Sequence, residues 1–238
     1  RNINKACGSE HPESLAKTVL KMKASAGFAF DGDGDRLIAV DELGRVLSGD
    51  HIMAICARHL KQSGRLKKNI LVTTIMSNAG LRAAMQTIGI KCLEAGVGDR
   101  EVLELMKRKG AALGGEQSGH MIILDRHTTG DGIITAIQLA CIMKETGAKL
   151  SRLASVIRLY PQKLINVAVS RKPPLSSCPE ILKAVSDAEK RLEGCGRVLV
   201  RYSGTQPVCR VMVEGPAPGI TVQLAASVAR AVEKEIGA

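Results

Sequence analysis

Apolar positions along this 238-residue chain switch repeatedly between helical and strand spacing. Leu15, Val19 and Met22 recur at helical intervals behind Pro12, which predicts a first helix. Two short apolar runs, 26–30 and 37–40, then bracket a wholly polar stretch, and they predict strands on either side of it. Glu42-Leu43-Gly44 turns the chain toward a third strand at 45–47. Asp50 is expected to cap a helix carrying Ile52, Ile55, Cys56 and Leu60, which ends near Ser63-Gly64.

After the basic stretch 65–69, strands and helices alternate. Strands are expected at 70–74, 90–93, 111–113 and 121–124. Between them the pattern predicts a helix capped by Ser77 and stopped at Gly89, and another carrying Val102, Leu105 and Met106. A long helix follows over 132–145. Beyond Tyr160-Pro161, where proline predicts a hinge, the order is strand 164–169, helix 178–192, strands 197–202 and 208–213, and helix 221–236. Ser177 and Glu180 stand at capping-box spacing for the first of those helices. The fold class expected is therefore α/β: two consecutive mixed-sheet units, the first incomplete, followed by a small α+β domain, with boundaries 1–64, 65–160 and 161–238.

Composition narrows the function classes. The formal net charge of +11 calls for an acidic partner, but an aromatic content of 2% without Trp leaves few stacking platforms for nucleic acid. A phosphorylated small molecule accounts for the charge equally well. The seven cysteines are odd in number and lack C-x-x-C spacing, so buried free thiols in a reducing cytoplasm are expected rather than disulfides or zinc. No apolar run is long enough for a membrane span, and an opening without Met or a secretory core is expected of part of a longer protein.

Four polar loops carry candidate chemistry. In Phe30-Asp31-Gly32-Asp33-Gly34-Asp35-Arg36, three carboxylates alternate with two glycines whose backbone freedom can aim them at one point, which suits a hard divalent cation. Arg36 adds a positive charge suited to a phosphoryl group. Gly114-Gly115-Glu116-Gln117-Ser118-Gly119-His120 offers donors and acceptors for sugar hydroxyls, or is a polar bend. The run 125–132 reads best as a helix-capping segment, with His127 unsupported as a metal ligand. Arg201-Tyr202-Ser203-Gly204-Thr205-Gln206-Pro207, with Arg210 on the next strand, can cradle a phosphate, or is a hairpin turn.

In that order, these stretches resemble the α-D-phosphohexomutase family, most closely its bacterial phosphoglucosamine mutase branch. Residues 29–36 look like the family's magnesium loop, 115–120 its sugar-recognition loop and 201–207 its phosphate loop. The runs 2–9, 128–132 and 210–215 favour the glucosamine branch; the phosphoglucomutase and phosphomannomutase branches are the alternatives. The resemblance implies the latter part of a second domain, a third and a fourth. The preceding domains of the same protein, with the phosphoserine nucleophile, would act as its partner, and the chain alone would be inactive.

It also implies an intramolecular phosphotransferase acting on a phosphorylated hexosamine for cell-wall precursors. Mg2+ would sit on Asp31, Asp33 and Asp35, with Arg36 beside it. Glu116, Ser118 and His120 would lie at the sugar, and Arg201, Ser203, Gly204, Thr205 and Arg210 at the phosphate that is not reacting. A sugar 1,6-bisphosphate would be the intermediate. Gln206 departs from a common glutamate, keeping shape and losing charge.

Two other classes fit the sequence less well. Asp31, Asp33, Asp35 and Glu42 match EF-hand calcium positions, but Arg36 stands where that loop needs Gly, and strands are expected on both flanks. A nucleic-acid-binding protein would need a contiguous basic face, whereas the basic residues here are scattered. No nucleic-acid or membrane partner is expected.

Overall fold

A computed structural model describes residues 2–204 and 206–238, and the chain forms two compact units, Arg1–Arg158 and Leu159–Ala238. The first unit opens with α1 (Glu13–Met22), β1 (Ala26–Phe30), β2 (Leu37–Asp41), β3 (Val46–Leu47) and α2 (Gly49–Gln62). Next come β4 (Ile70–Thr74), α3 (Ala79–Thr87), β5 (Lys91–Ala95), α4 (Asp99–Lys109), β6 (Leu113–Gly115) and β7 (Met121–Ile123). Helices α5 (Gly132–Thr146) and α6 (Leu150–Ala154) complete it. Helix α6 has no counterpart in the sequence pattern, since five residues are too short for a periodic signal.

Two sheets form. Strands β1, β2 and β3 make an antiparallel sheet in that order. The other has the order β5-β4-β6-β7, with β4 parallel to β5 and β6, and β7 antiparallel to β6. The boundary expected near residue 65 coincides with the change of sheet. It does not separate compact units, because α2 packs against β2 and β3 on one side and β6 on the other. That position explains why Ile52, Met53, Ala54, Ile55, Cys56 and Ala57 are all buried, which an amphipathic surface helix would not show.

Several local expectations need correction. Helix α2 begins after Ser48, and Asp50 lies buried in its first turn, where Oδ2 accepts the Asn78 N–H at 2.9 Å. Asn78 rather than Ser77 caps α3, its side chain accepting from Gly80 N–H at 2.9 Å. Ser177 does not form a capping box: its hydroxyl donates to Pro174 O, and the N-cap of the following helix is Cys178. Cys7, Cys141 and Cys195 are exposed, so the thiols are not uniformly buried. Cys141 has apolar neighbours in sequence, but at a hundred degrees per residue they occupy other faces of α5. Burial pushes the Cys56 thiol up to about 12, so it is inert at neutral pH.

The second unit comprises β8 (Gln162–Ala168), α7 (Pro179–Leu192), β9 (Arg197–Tyr202), β10 (Val208–Glu214) and α8 (Pro218–Ile236). Its antiparallel sheet has the order β8-β10-β9. Cys209, Val211 and Val213 alternate onto the face that packs with Ile181 of α7 and Leu224, Val228 and Val232 of α8. The opposite face therefore receives Arg210 and Arg201, and that is how the strand period positions them.

A pH-sensitive group, His51 of α2, lies near the β2–β3 turn. The side chain of Asp41, fully buried, accepts from Leu43 N–H, Arg45 N–H and Arg45 Nε, the last at 2.7 Å. Burial, and then the charge of Arg45, lower the pKa of nearby His51, while Asp41 opposes them. The unfolded chain therefore takes up this proton first. Stability from this group is intact above an unfolded value of about 6.5 and falls as the pH is lowered through it toward the folded value. His51→Gln should flatten the decline in urea-unfolding free energy between about pH 7 and about pH 5 relative to wild type.

Candidate active site

The polar loop after β1 is a tight turn. Gly34 takes φ +73° and donates its N–H to Asp31 O at 3.2 Å. The Asp31 carboxylate accepts the Arg36 N–H at 3.2 Å, and Arg36 Nε stands 3.7 Å away, an ion pair rather than a hydrogen bond. Asp35 Oδ2 lies 2.9 Å from His120 Nδ1, and Asp33 is exposed. Among the described residues no group of three or more His, Cys, Asp and Glu side chains gathers as a metal cluster. Without a ligand, the three carboxylates of the turn are spread between a guanidinium, an imidazole and solvent.

The second loop, 116–120, is held against the first by backbone hydrogen bonds. Leu37 N–H donates to Gly119 O at 3.1 Å, Gly49 N–H to Gln117 O at 3.0 Å, and Arg36 bridges to His120. Gly119 sits at φ +97°, and a Cβ there would fall 2.1 Å from Leu37 O, so no other residue fits. Glu116 Oε1 accepts the Gly98 N–H at 3.0 Å, which fixes that carboxylate. His120 is buried, with a side chain 4% exposed. Its Nε2, the Ser118 hydroxyl and Gln117 Oε1 are buried without a hydrogen-bond partner among the described residues. Such groups cost stability unless something else satisfies them.

The third loop closes the group from the side. Asp131 caps α5 by accepting from Ile134 N–H at 2.9 Å, as expected of a capping segment. Gly132 N–H also donates to Gly34 O at 2.9 Å, and Gly130 lies flat on the imidazole, where a Cβ would meet His120 Cε1 at 2.3 Å. One region of the first unit thus collects Asp31, Asp35, Arg36, Glu116, Ser118 and His120.

In the second unit, Arg201 and Arg210 are directly opposed in register on β9 and β10. Like charges so placed repel. Arg210 Nε is buried without a hydrogen-bond partner among the described residues. The loop between the strands is closed by Ser203 N–H donating to Val208 O at 2.9 Å, while buried Ser203 accepts the Gln206 N–H on its hydroxyl at 3.3 Å. Gly204 is exposed. Thr205, expected in the same group, lies outside the described residues.

Comparison with known proteins places this arrangement. The phosphoglucomutase/phosphomannomutase alpha/beta/alpha domain III matches residues 48–160, and the C-terminal domain of the same family matches 164–231. The chain belongs to the phosphoglucomutase/phosphomannomutase family. It is 56% identical over 236 residues to the phosphoglucosamine mutase of Syntrophobacter fumaroxidans, covering 99% of this chain and 53% of that protein. The phosphoglucosamine mutase of Syntrophus aciditrophicus is 53% identical over 237 residues, with 100% and 53% covered. The chain spans about half the length of the curated relatives it matches.

Among solved structures, Aspergillus fumigatus N-acetylphosphoglucosamine mutase in complex with GlcNAc-6P and magnesium superposes with TM-score 0.76 at 20% identity, covering 95% of this chain and 56% of that one. A variant of the same enzyme, in complex with glucose 1,6-bisphosphate, gives TM-score 0.75 at 20% identity, with 98% and 53% covered. At that identity the likeness is one of fold.

Within this group of residues, spacing gives no hint of Gly98 behind Glu116, of Gly130 against His120, or of the orphaned Gln117 amide. Each depends on a contact between distant segments. The donor chemistry does fit magnesium: three carboxylates on one turn, one of them exposed to solvent.

Gly130→Ala should drive the His120 ring off Asp35 at an overpacking cost of about 1–3 kcal/mol. Loss of the imidazole-to-carboxylate hydrogen bond in long-range nitrogen-15 spectra, together with a lower urea midpoint, would verify this. Arg210→Gln relieves the opposed charges, so it should leave stability unchanged or raise it by roughly 0.2–1 kcal/mol while weakening phosphate binding. Urea unfolding and phosphate titration of the same variant measure the two together.

Proposed function

We propose that this chain supplies the metal-, sugar- and phosphate-binding portion of a phosphoglucosamine mutase. Such an enzyme interconverts glucosamine 6-phosphate and glucosamine 1-phosphate through the 1,6-bisphosphate. The observation that carries the reading is the hydrogen bond between His120 and Asp35, which joins the carboxylate turn to the hydroxyl-binding loop. Identity of about half with curated phosphoglucosamine mutases along almost the whole chain supports the amino sugar over glucose or mannose phosphates.

The chain's own groups divide the work. Glu116, fixed by Gly98, accepts hydrogen bonds from sugar hydroxyls, and the orphaned Ser118 hydroxyl and His120 Nε2 lie beside it. Asp31, Asp33 and Asp35 would hold a magnesium ion, whose chemistry there is to offset negative charge on the transferring phosphoryl group. Arg36 adds a guanidinium next to that group. Arg201, Ser203, Gly204, Thr205 and Arg210 grip the phosphate that does not react, and binding energy spent there positions the reacting end.

The phosphoryl carrier itself is a serine outside this chain. Ser118 and Ser203 belong to ligand loops, and no serine here stands in a loop resembling the family's phosphoserine loop.

The 238-residue chain should therefore bind glucosamine 6-phosphate but show no turnover in a coupled assay with magnesium and glucosamine 1,6-bisphosphate. Glu116→Ala should lower the affinity for glucosamine 6-phosphate without affecting that for inorganic phosphate. Turnover by the chain alone, abolished in an Asp33→Ala preparation made the same way, would overturn the division of labour. Tighter binding of glucose or mannose 6-phosphate would overturn the amino-sugar assignment.

A further inference from the structure

Lys172 lies on the segment after β8, remote in sequence from the loop 201–207. Its ammonium donates to two carbonyl oxygens of that loop, Ser203 O at 2.8 Å and Gln206 O at 3.0 Å. We propose that Lys172 is a positioning residue that turns the loop's carbonyl groups away from an incoming phosphate. This rests on the reading of 201–206 as a phosphate-binding loop.

The argument starts from the peptide unit. No cis peptide occurs among the described residues, and in a trans peptide the C=O and N–H point in opposite directions. With Ser203 O held by Lys172, the N–H of Gly204 must face the other way. That N–H is not used by any backbone carbonyl among the described residues. Gln206 O already accepts the Val208 N–H at 2.9 Å and belongs to the peptide with Pro207, which has no N–H to turn, so the second contact adds a donor to an oxygen held within the loop. Both oxygens would repel a phosphate if they faced it. With Ser203 O drawn to the ammonium, the Gly204 N–H is left on the opposite side as a donor for an anion, as in a backbone anion nest. A lysine suits this task, since its compact charge carries several donors that can fan toward separate oxygens.

The anchor itself is fixed. Tyr202 OH donates to Pro173 O at 2.8 Å, Val169 N–H to Pro207 O at 3.0 Å, Ser170 N–H to Ile236 O at 3.1 Å and Arg171 Nη2 to Glu235 O at 3.1 Å. The backbone on both sides of Lys172 is thereby tied to β9, to the loop and to the end of α8. The exposed lysine side chain spans from this strap to the loop rather than reaching into solvent.

The test uses the 238-residue chain with inorganic phosphate and glucosamine 6-phosphate as probes. Lys172→Met should shift the Gly204 amide resonance in the ligand-free protein and weaken both ligands about tenfold, and Lys172→Arg should recover most of the loss. A dispersed amide spectrum in each variant establishes that the fold is kept. If Lys172→Met loses affinity with the ligand-free Gly204 amide unmoved, the lysine touches the anion directly and the positioning role is overturned. A tenfold loss in Arg201→Gln with none in Lys172→Met overturns the proposal alone. Unchanged affinity in Arg201→Gln overturns the phosphate-loop reading, and this proposal with it.

Discussion

The site in the first unit depends on one constraint, the seating of loop 116–120 between the start of β2 and the start of α2. Leu37 N–H and Gly49 N–H reach its carbonyls from either side, and Gly119 passes so close to Leu37 O that a side chain is excluded. Everything chemical nearby follows from that seating. His120 is carried to Asp35, Glu116 to Gly98, and the Ser118 hydroxyl to a buried position without a partner among the described residues. Backbone bonds seat the loop, which leaves the Ser118 hydroxyl, Gln117 Oε1 and His120 Nε2 without partners among the described residues. A loop held in this way is positioned before any ligand arrives, which is what orientation-dependent chemistry requires.

The unit uses one arrangement twice. The order helix, strand, polar loop, antiparallel strand occurs as α1-β1-loop-β2 and again as α4-β6-loop-β7. The first loop carries the carboxylates and the second Glu116, Ser118 and His120. Helix α2 packs on both sheets and brings the two loops together. The second unit reaches the same end with a plain hairpin, where the polar loop joins β9 and β10 and the strand period puts Arg201 and Arg210 side by side. The repulsion there is a local cost kept at a candidate ligand site, in line with the orphaned Arg210 Nε.

Sequence and structure agree best where a physical signal is local. The strands expected at 26–30, 197–202 and 208–213 and the helix expected at 132–145 match β1, β9, β10 and α5 to within a residue, and Asp131 caps its helix because the capping bond spans only three residues. Agreement fails at Ser77, Asp50 and Ser177, where a neighbouring residue takes the cap or the side chain is recruited elsewhere. Asp50 is the clearest case: its position suits a cap, yet its carboxylate is bonded to Asn78 far along the chain.

By itself, the sequence determined the α/β class, the order of the loops and the kinds of groups they carry, since residue type and spacing are local properties of the chain. Only the tertiary structure decided how those groups are paired. Of the three carboxylates, Asp31 pairs with Arg36 and Asp35 with His120, while Asp33 is exposed. No spacing rule reveals that Gly130 must be small, or that Lys172 restrains a loop more than thirty residues away. Those facts arise from contacts between segments far apart in sequence, and such contacts are set by how helices and sheets pack rather than by any pattern within one of them.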